Sequence, residues 1–155
     1  MIIDYFDNNS NEKYNIEYMV EDKPLGTAGA LGFLKDKIKT TFFVSNCDIL
    51  VDVNLGELVK YHKDNSNIIT VVSSLKKYSI PYGTLETGEN GILIDIKEKP
   101  DIMFQINTGL YLLEPEILDC IQENEMINLT DIIKTALNSG KKIGVFMVTN
   151  LKGNI

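Results

Sequence analysis

The spacing of hydrophobic and polar positions changes repeatedly along the chain, and each change predicts a strand or a helix. Two stretches rich in β-branched and aromatic residues, 40–46 and 67–75, predict buried strands of the parallel type, which are covered on both faces. Shorter or alternating runs predict further strands. The remaining predicted strands are 15–20, 82–86, 105–113 and 142–148.

Helical spacing and capping residues separate these strands. Asn54 followed by Glu57 resembles a capping box, and Gly140 is a typical helix end. The predicted helices are 28–37 and those starting at Asn54, at Pro115 and at the N-cap Thr130, while 1–6 resembles the tail of a helix. Strands alternating with helices predict an α/β domain with a mainly parallel central sheet.

The alternating residues Ile92, Ile94 and Ile96 follow a predicted turn at 89–91, which together indicate a β-hairpin. The same alternation predicts that these three isoleucines form a buried face. Glu98 is in phase with them, so its carboxylate is expected to point into a cleft.

Composition limits the function classes. The 155 residues fit one domain, with 44% hydrophobic and 24% charged residues. A net charge of −7 argues against a nucleic-acid polymer as partner, although small phosphates remain possible. No apolar run approaches the roughly 20 residues of a membrane span. Cys47 and Cys120 lack CxxC spacing and are predicted to be buried. With no secretory signal, a cytoplasmic location is expected.

The predicted strand 40–46 ends at Cys47 and Asp48, so Asp48 closes it. Open α/β sheets place ligand-binding groups at the carboxyl ends of their strands. A carboxylate there can hold Mg²⁺ together with the phosphates of a substrate. Position alone is equally compatible with a cap for the next loop.

Two pairs of polar residues can each be interpreted either as ligand-binding or as structural. Glu98 and Lys99 could bind sugar hydroxyls and a phosphate, or form a solvated charge pair. Asn107 and Thr108 lie inside an apolar strand, so they must bond neighbouring backbone or face a ligand. Gly109 beside them indicates close approach by another group.

Three other features carry weaker signals. Tyr82 and Gly83 form either a turn or a backbone contact with a ligand. The stretch KPLGTAGAL at 23–31 matches neither the dinucleotide nor the P-loop glycine spacing. His62, the sole histidine, has no visible partner in the sequence and is predicted to be structural.

The order of the motifs is more specific than any one of them. The series EDKPLGTAGAL, FFVSNCDIL, IPYG, IKEKP, INTGLYLLEPEIL, then NLTDII with GKKIGVF, resembles the sugar-phosphate nucleotidyltransferase family. Within that family, the motif sequences are similar to those of bacterial sugar-1-phosphate nucleotidyltransferases. Mannose-1-phosphate guanylyltransferases are relatives of these proteins. The resemblance implies a Rossmann-like three-layer α/β fold with a mainly parallel mixed sheet, here incomplete.

The resemblance also implies a reaction. A nucleoside monophosphate would pass from a nucleoside triphosphate to a sugar 1-phosphate, with release of pyrophosphate and with Mg²⁺ as cofactor. Such a transfer depends on positioning and charge neutralisation and needs no covalent nucleophile.

Site residues follow from the same resemblance, position by position. Asp48 corresponds to the Mg²⁺ ligand and, with Lys99, to the catalytic groups. The positions implied to lie beside the nucleotide base are Glu21, Pro24 and Gly26, where the glycine would let the backbone approach the base. The positions implied to bind the sugar phosphate are Tyr82, Gly83, Glu98, Lys99, Asn107 and Thr108.

Two family segments have no counterpart in the sequence: the N-terminal Gly-rich GTRL-type loop and the C-terminal WxDIG-like segment. Residues 1–155 are therefore expected to be the single, central part of a longer nucleotidyltransferase domain, with little or no activity alone. An exposed edge would favour self-association into a homo-oligomer. Two alternatives remain: a non-catalytic relative that binds nucleotide sugars or regulates, and a GT-A-type glycosyltransferase, although 46–48 offers one carboxylate rather than D-x-D.

Overall fold

The computed structural model describes residues 2–8 and 15–148. Its α-helices are α1 (Ile2–Asn8), α2 (Leu55–Asp64) and α3 (Leu129–Asn138). Its strands are β1 (Phe42–Ser45), β2 (Ile69–Ser79), β3 (Thr84–Thr87), β4 (Leu93–Lys97), β5 (Asp101–Leu113) and β6 (Ile143–Val148). Short 3₁₀ helices span Gly29–Leu34, Glu89–Gly91 and Pro115–Cys120. Within these ranges no helix is both long and apolar enough to cross a membrane.

Four strands form one mixed sheet in the order β1-β5-β2-β6. β2 pairs with β6 in parallel, and β5 pairs with both β1 and β2 in antiparallel fashion. Three strands, β1, β2 and β6, therefore point the same way. β3 and β4 form a separate antiparallel hairpin, which confirms the prediction made from the alternating isoleucines.

The sheet is covered on both faces, in agreement with the three-layer fold that the resemblance implies. Neighbouring residues of β5 enter opposite layers: Leu113 packs with Ile132 of α3, and Leu112 packs with Leu58 of α2. All four of these side chains are almost fully buried. Strands buried on both faces need continuous apolar sequence, and this is why β5 lacks alternation near its end.

Several boundaries differ from the predictions. Residues 15–20 are exposed and have no regular structure. The segment 28–37 forms a short 3₁₀ helix rather than an α-helix. β1 is only four residues long and half-exposed, because it pairs with a single described strand at the edge of the sheet. The N-cap of α3 is Asn128, so Thr130 lies in the first turn.

Two predictions of burial are wrong. Ile92, Ile94 and Ile96 are 62–66% exposed, because the β3–β4 hairpin stands apart from the four-stranded sheet. Cys47 and Cys120 are exposed free thiols. Cys47 lies in the turn after β1, and Cys120 ends the 3₁₀ helix Pro115–Cys120, whose buried residues lie earlier in its sequence.

Candidate functional site

β5 contains a bulge. The bulge lies near the carboxyl ends of β1 and β6. Val71 pairs with Tyr111 and Ser73 pairs with Asn107, so three residues of β5 face the single residue Val72. Gly109, the middle residue of the three, has a φ of +83°. Bulges bend a strand and redirect its side chains, and they are common beside active sites. The polar sequence Asn-Thr-Gly inside an apolar strand therefore marks this bulge.

The two polar side chains of the bulge have different environments. Thr108 is 3% exposed; its hydroxyl donates to the Val72 carbonyl at 2.8 Å and accepts from the Leu110 N–H at 3.4 Å. The exposed Asn107 side chain donates to the Tyr111 hydroxyl at 2.6 Å and accepts from the Gly109 N–H at 3.0 Å. The Thr108 hydroxyl thus serves the backbone, whereas Asn107 holds an oriented amide at the surface.

The end of β1 lies against this bulge. The Asn46 N–H donates to the Gly109 carbonyl at 3.0 Å, and a Cβ on Gly109 would lie 2.7 Å from Asn46 Nδ2. Two residues further on, the exposed Asp48 borders a cavity of about 220 Å³. The cavity is lined by Asn46, Asp48, Ile49, Asn107, Thr108, Gly109 and Tyr111. The structure therefore brings together three residues that the sequence predicted separately: Asp48, Asn107 and Thr108.

The carboxylate of Asp48 suits one kind of metal binding. Within residues 2–8 and 15–148, no group of three or more His, Cys, Asp or Glu side chains could hold a metal ion. Mg²⁺, however, is commonly bound by one or two carboxylates, several waters and the phosphates of a substrate. The residues around Asp48 therefore fit a Mg²⁺ ion that arrives with a phosphate ligand, and do not form an all-protein cage.

A second group of predicted residues lies on the hairpin. A Cβ on Gly83 would lie 3.1 Å from Glu98 Oε2, so these two positions are neighbours. Tyr82 is 74% exposed, and Lys99 is an exposed residue with a φ of +45°, which is rare for non-glycine residues. None of the four lines the cavity beside Asp48.

An ion pair anchors the base of the hairpin. Lys77 Nζ on β2 lies 2.6 Å from Asp101 Oδ2 on β5, and the Ser79 hydroxyl donates to Asp101 Oδ1 at 2.7 Å. The hydrogen bond from Lys77, followed by that from Ser79, holds the pKa of the Asp101 carboxyl below its ordinary value.

The predicted nucleotide loop, residues 21–28, has its hydrogen-bonding groups partly occupied by other groups of the same chain. The Glu21 carboxylate accepts from the Leu25 N–H at 3.1 Å, and Pro24 is exposed. Gly26 has a φ of +76°, and a Cβ there would lie 2.6 Å from the Ile127 carbonyl oxygen. Contact with Ile127 is thus a sufficient structural reason for this glycine, and the approach to a base that the resemblance implies stays a prediction.

His62 has partners that the sequence did not reveal. It is 1% exposed, with Nδ1 2.8 Å from Thr70 Oγ1 and Nε2 3.0 Å from Glu114 Oε1, which also accepts from the Thr41 hydroxyl. A cavity of about 420 Å³ borders this network, at the edge opposite Asp48. No buried side-chain nitrogen or oxygen of the described residues lacks a partner, so the network fits the predicted structural role.

Asn46 and Tyr111 lie in the cavity wall but are absent from the sequence-based predictions. Asn46 had a usable signal, because it is a polar residue at the carboxyl end of a predicted strand. Tyr111 had none. Its contact with Asn107 depends on the bulge, which changes which residues of β5 are neighbours.

Comparisons with known proteins agree on one family. The family model for Nucleotidyl transferase matches residues 1–151. Mannose-1-phosphate guanyltransferase of Yarrowia lipolytica is 38% identical over 119 residues, which are 71% of this chain and 32% of that protein. UTP–glucose-1-phosphate uridylyltransferase of Synechocystis sp. is 31% identical over 128 residues, 76% of this chain and 33% of that protein. The chain thus spans about a third of the length of these curated relatives.

A solved structure supports the fold. The crystal structure of HddC from Yersinia pseudotuberculosis complexed with GMP-PN has a TM-score of 0.67 and 18% sequence identity. The match covers 95% of this chain and 64% of HddC. The likeness confirms the predicted Rossmann-like α/β fold.

Proposed function

This chain belongs to the nucleotidyl transferase family, and we propose on that premise that it is part of a sugar-1-phosphate nucleotidyltransferase. The enzyme would transfer a nucleoside monophosphate from a nucleoside triphosphate to a sugar 1-phosphate and release pyrophosphate. The observation that carries the proposal is the cavity at the carboxyl ends of β1 and β6, which both Asp48 and Asn107 line. Relatives named as guanylyl- and uridylyltransferases support the reaction class.

Asp48 is the proposed ligand of Mg²⁺. Its carboxylate is exposed at the cavity, three residues after the end of β1, where the phosphates of a bound nucleotide could share the ion. Mg²⁺ would neutralise negative charge on those phosphates. Asp48 would therefore act only with a nucleotide present, in agreement with its being the one carboxylate among the described residues that line the cavity.

Asn107 is proposed to bind the sugar. A side-chain amide offers two N–H donors and two acceptor lone pairs. Asn107 uses one donor on Tyr111 and one acceptor site on Gly109, so one of each remains for a sugar hydroxyl. Both internal bonds also hold the amide in one orientation, which lowers the entropy lost on binding. The Thr108 hydroxyl is already bonded to the Val72 carbonyl, so Thr108 would stabilise the bulge that carries Asn107.

The hairpin is proposed to complete the sugar-phosphate site. Glu98 would accept bonds from sugar hydroxyls and Lys99 would bind the phosphate, with Tyr82 and Gly83 alongside. Glu98 and Lys99 are exposed, so neither must break a buried contact before it binds a ligand. On the nucleotide side, Glu21, Pro24 and Gly26 would border the base.

Titration calorimetry with GTP, with and without Mg²⁺, tests the role of Asp48. Losing one charge-assisted contact costs about 1.5–3 kcal/mol, so Asp48→Asn should weaken Mg²⁺-dependent binding by roughly 10- to 150-fold. Asp36→Asn is the matched control, since Asp36 is a surface aspartate whose ion pair with Lys39 is exposed. Equal loss in both variants, or binding that ignores Mg²⁺, would refute the role of Asp48.

Pyrophosphate release tests the reaction. Because this chain covers about a third of its relatives' length, we expect binding with little or no turnover. Pairs of GTP or UTP with mannose 1-phosphate or glucose 1-phosphate cover the chemistry in the relatives' names, and dTTP is added as a third nucleotide. Robust turnover would contradict the expectation for the chain alone. Absence of both binding and turnover would refute the proposed function.

The proposed compartment is the cytoplasm, a choice supported by two exposed cysteines that form no disulfide. Self-association through an exposed edge also stays a prediction. β1 and β6 are the edge strands of the described sheet, and the oligomeric state in solution would decide it.

A further inference from the structure

The nucleotide loop and the start of α3 are joined by backbone hydrogen bonds, although about 100 residues separate them in sequence. The Ile127 N–H donates to the Leu25 carbonyl at 3.0 Å, and the Ala28 N–H donates to the Ile127 carbonyl at 3.1 Å. Leu25 and Ala28 are each 1% exposed. We call residues 25–28 and 127–129 together the latch.

The side chains of Thr27 and Asn128 each accept a hydrogen bond from a backbone N–H of the other segment of the latch. The Thr27 N–H donates to Asn128 Oδ1 at 3.3 Å, and the Leu129 N–H donates to Thr27 Oγ1 at 3.0 Å. An N-cap side chain ordinarily accepts from its own helix. Asn128, the N-cap of α3, makes no such bond, and the first helical N–H is satisfied by Thr27 instead. The loop and the helix therefore complete each other's hydrogen bonding.

Close packing within the latch and immediately beside it excludes side chains at two glycines, Gly26 and Gly29. A Cβ on Gly26 would lie 2.6 Å from the Ile127 oxygen, and one on Gly29 would lie 2.5 Å from the Glu125 oxygen. Both obstacles are backbone atoms, which cannot rotate away as a side chain can. The glycines of KPLGTAGAL therefore permit a close contact with the segment before α3.

We propose that Thr27 and Asn128 are positioning residues for the nucleotide base. The proposal rests on the proposed function, which assigns the neighbouring residues Glu21, Pro24 and Gly26 to the base. By fixing the loop to α3, the two side chains hold it in one conformation before a nucleotide binds. A loop ordered in advance loses less entropy on binding, so the latch raises affinity without touching the ligand.

The test uses variants that change one bond of the latch. Thr27→Val removes the hydroxyl and keeps the shape, whereas Thr27→Ser keeps the hydroxyl. Asn128→Leu removes the acceptor, whereas Asn128→Asp keeps it. Thr130→Val is the control, because Thr130 is an exposed threonine of the same helix. Each protein is titrated with Mg²⁺ and GTP, UTP or dTTP well below its unfolding temperature, and amide hydrogen exchange is followed at Thr27 and Leu129.

Thr27→Val and Asn128→Leu should each weaken nucleotide binding about two- to tenfold, the range for one neutral hydrogen bond. Exchange at the Leu129 amide should be faster in Thr27→Val. The conservative variants should bind like the unchanged chain, as should Thr130→Val. Rescue by the conservative variants separates positioning from a general loss of stability.

Two failures have different meanings. If the unchanged chain binds nucleotide and Thr27→Val binds it equally well, this proposal is overturned and the proposed function stands. If the unchanged chain binds none of the three nucleotides, the proposed function is overturned. The proposed role of the latch in nucleotide affinity is then overturned as well.

Discussion

Replacing Gly26 with alanine tests the close contact between residues 25–28 and the start of α3. Gly26 has a φ of +76°, and its added Cβ would lie 2.6 Å from the Ile127 oxygen. Gly140 is a matched control, because its φ is +73° and nothing lies within 4 Å of the corresponding Cβ. The same substitution at the two sites thus shares the backbone strain and differs in the collision.

The shared part of the cost cancels in the comparison. A left-handed conformation costs an alanine about 1–2 kcal/mol at either site. The entropy that alanine removes from the unfolded chain is also common to both. At Gly26 alone, the Ile127 carbonyl must move, which breaks or weakens its bond with Ala28 and the neighbouring bond with Leu25. Two bonds at about 0.5–1.5 kcal/mol each give an excess of about 1–3 kcal/mol.

Urea unfolding of both variants measures this excess, provided that their m-values agree. For a chain of this size, about 2–4 °C of melting temperature corresponds to 1 kcal/mol, so Gly26→Ala should melt about 2–12 °C below Gly140→Ala. Equal stability of the two variants would show that the loop moves away from Ile127 without cost. The reasoning about the latch would then be refuted.

Three further substitutions test other parts of the structure by urea unfolding. Thr108→Val leaves the Val72 carbonyl without its donor and should cost about 1–3 kcal/mol, while Thr108→Ser should cost little; equal costs would exclude the hydrogen bond as the cause. Asn54→Ala removes an acceptor for two N–H groups of α2 and should cost about 0.5–2 kcal/mol, with Asn54→Asp close to unchanged; a neutral alanine variant would contradict the cap. Because Lys77 lowers the pKa of Asp101 in the folded state, this carboxylate stabilises the fold above its unfolded pKa of about 3.9. The stability difference between Asp101→Asn and the unchanged chain should therefore fade as the pH falls through the lowered pKa, and a difference that grows in acid would refute this.

Local signals predicted most elements correctly. Asn54 caps α2 through two backbone N–H groups, Pro115 begins a 3₁₀ helix, and Gly140 follows α3 with a positive φ. These features depend on residues a few positions apart, so a single sequence contains the information. The Ile92–Ile94–Ile96 alternation likewise predicted a hairpin, since strand pairing across a short turn is local.

Burial was less predictable, because it depends on what packs against an element. The same isoleucines are exposed, since no described element covers the hairpin face on which they lie. Phe43 in β1 belongs to an apolar run and is still 41% exposed at the edge of the sheet. An apolar pattern identifies a strand but does not say whether a neighbour covers it.

In the candidate site, too, the residues were predictable from sequence, whereas their contacts were not. Asp48 and the pair Asn107–Thr108 could be selected from sequence, because polar residues at or within apolar strands need a reason. That Thr108 bonds the Val72 carbonyl while Asn107 stays exposed follows from the bulge, which arises from pairing between β2 and β5. Tyr111 reaches Asn107 for the same reason.

By itself, the sequence determined most of the strands and helices, the family and the candidate chemistry, because periodicity, capping residues and motifs are local properties. Only the tertiary structure decided which polar groups meet. Asp48 lines the same cavity as Asn107 because β1 pairs with β5 beside the bulge. The stretch KPLGTAGAL joins the start of α3 because residues about 100 positions apart satisfy each other's backbone groups. Contacts of that kind depend on the path of the whole chain, which local patterns do not contain.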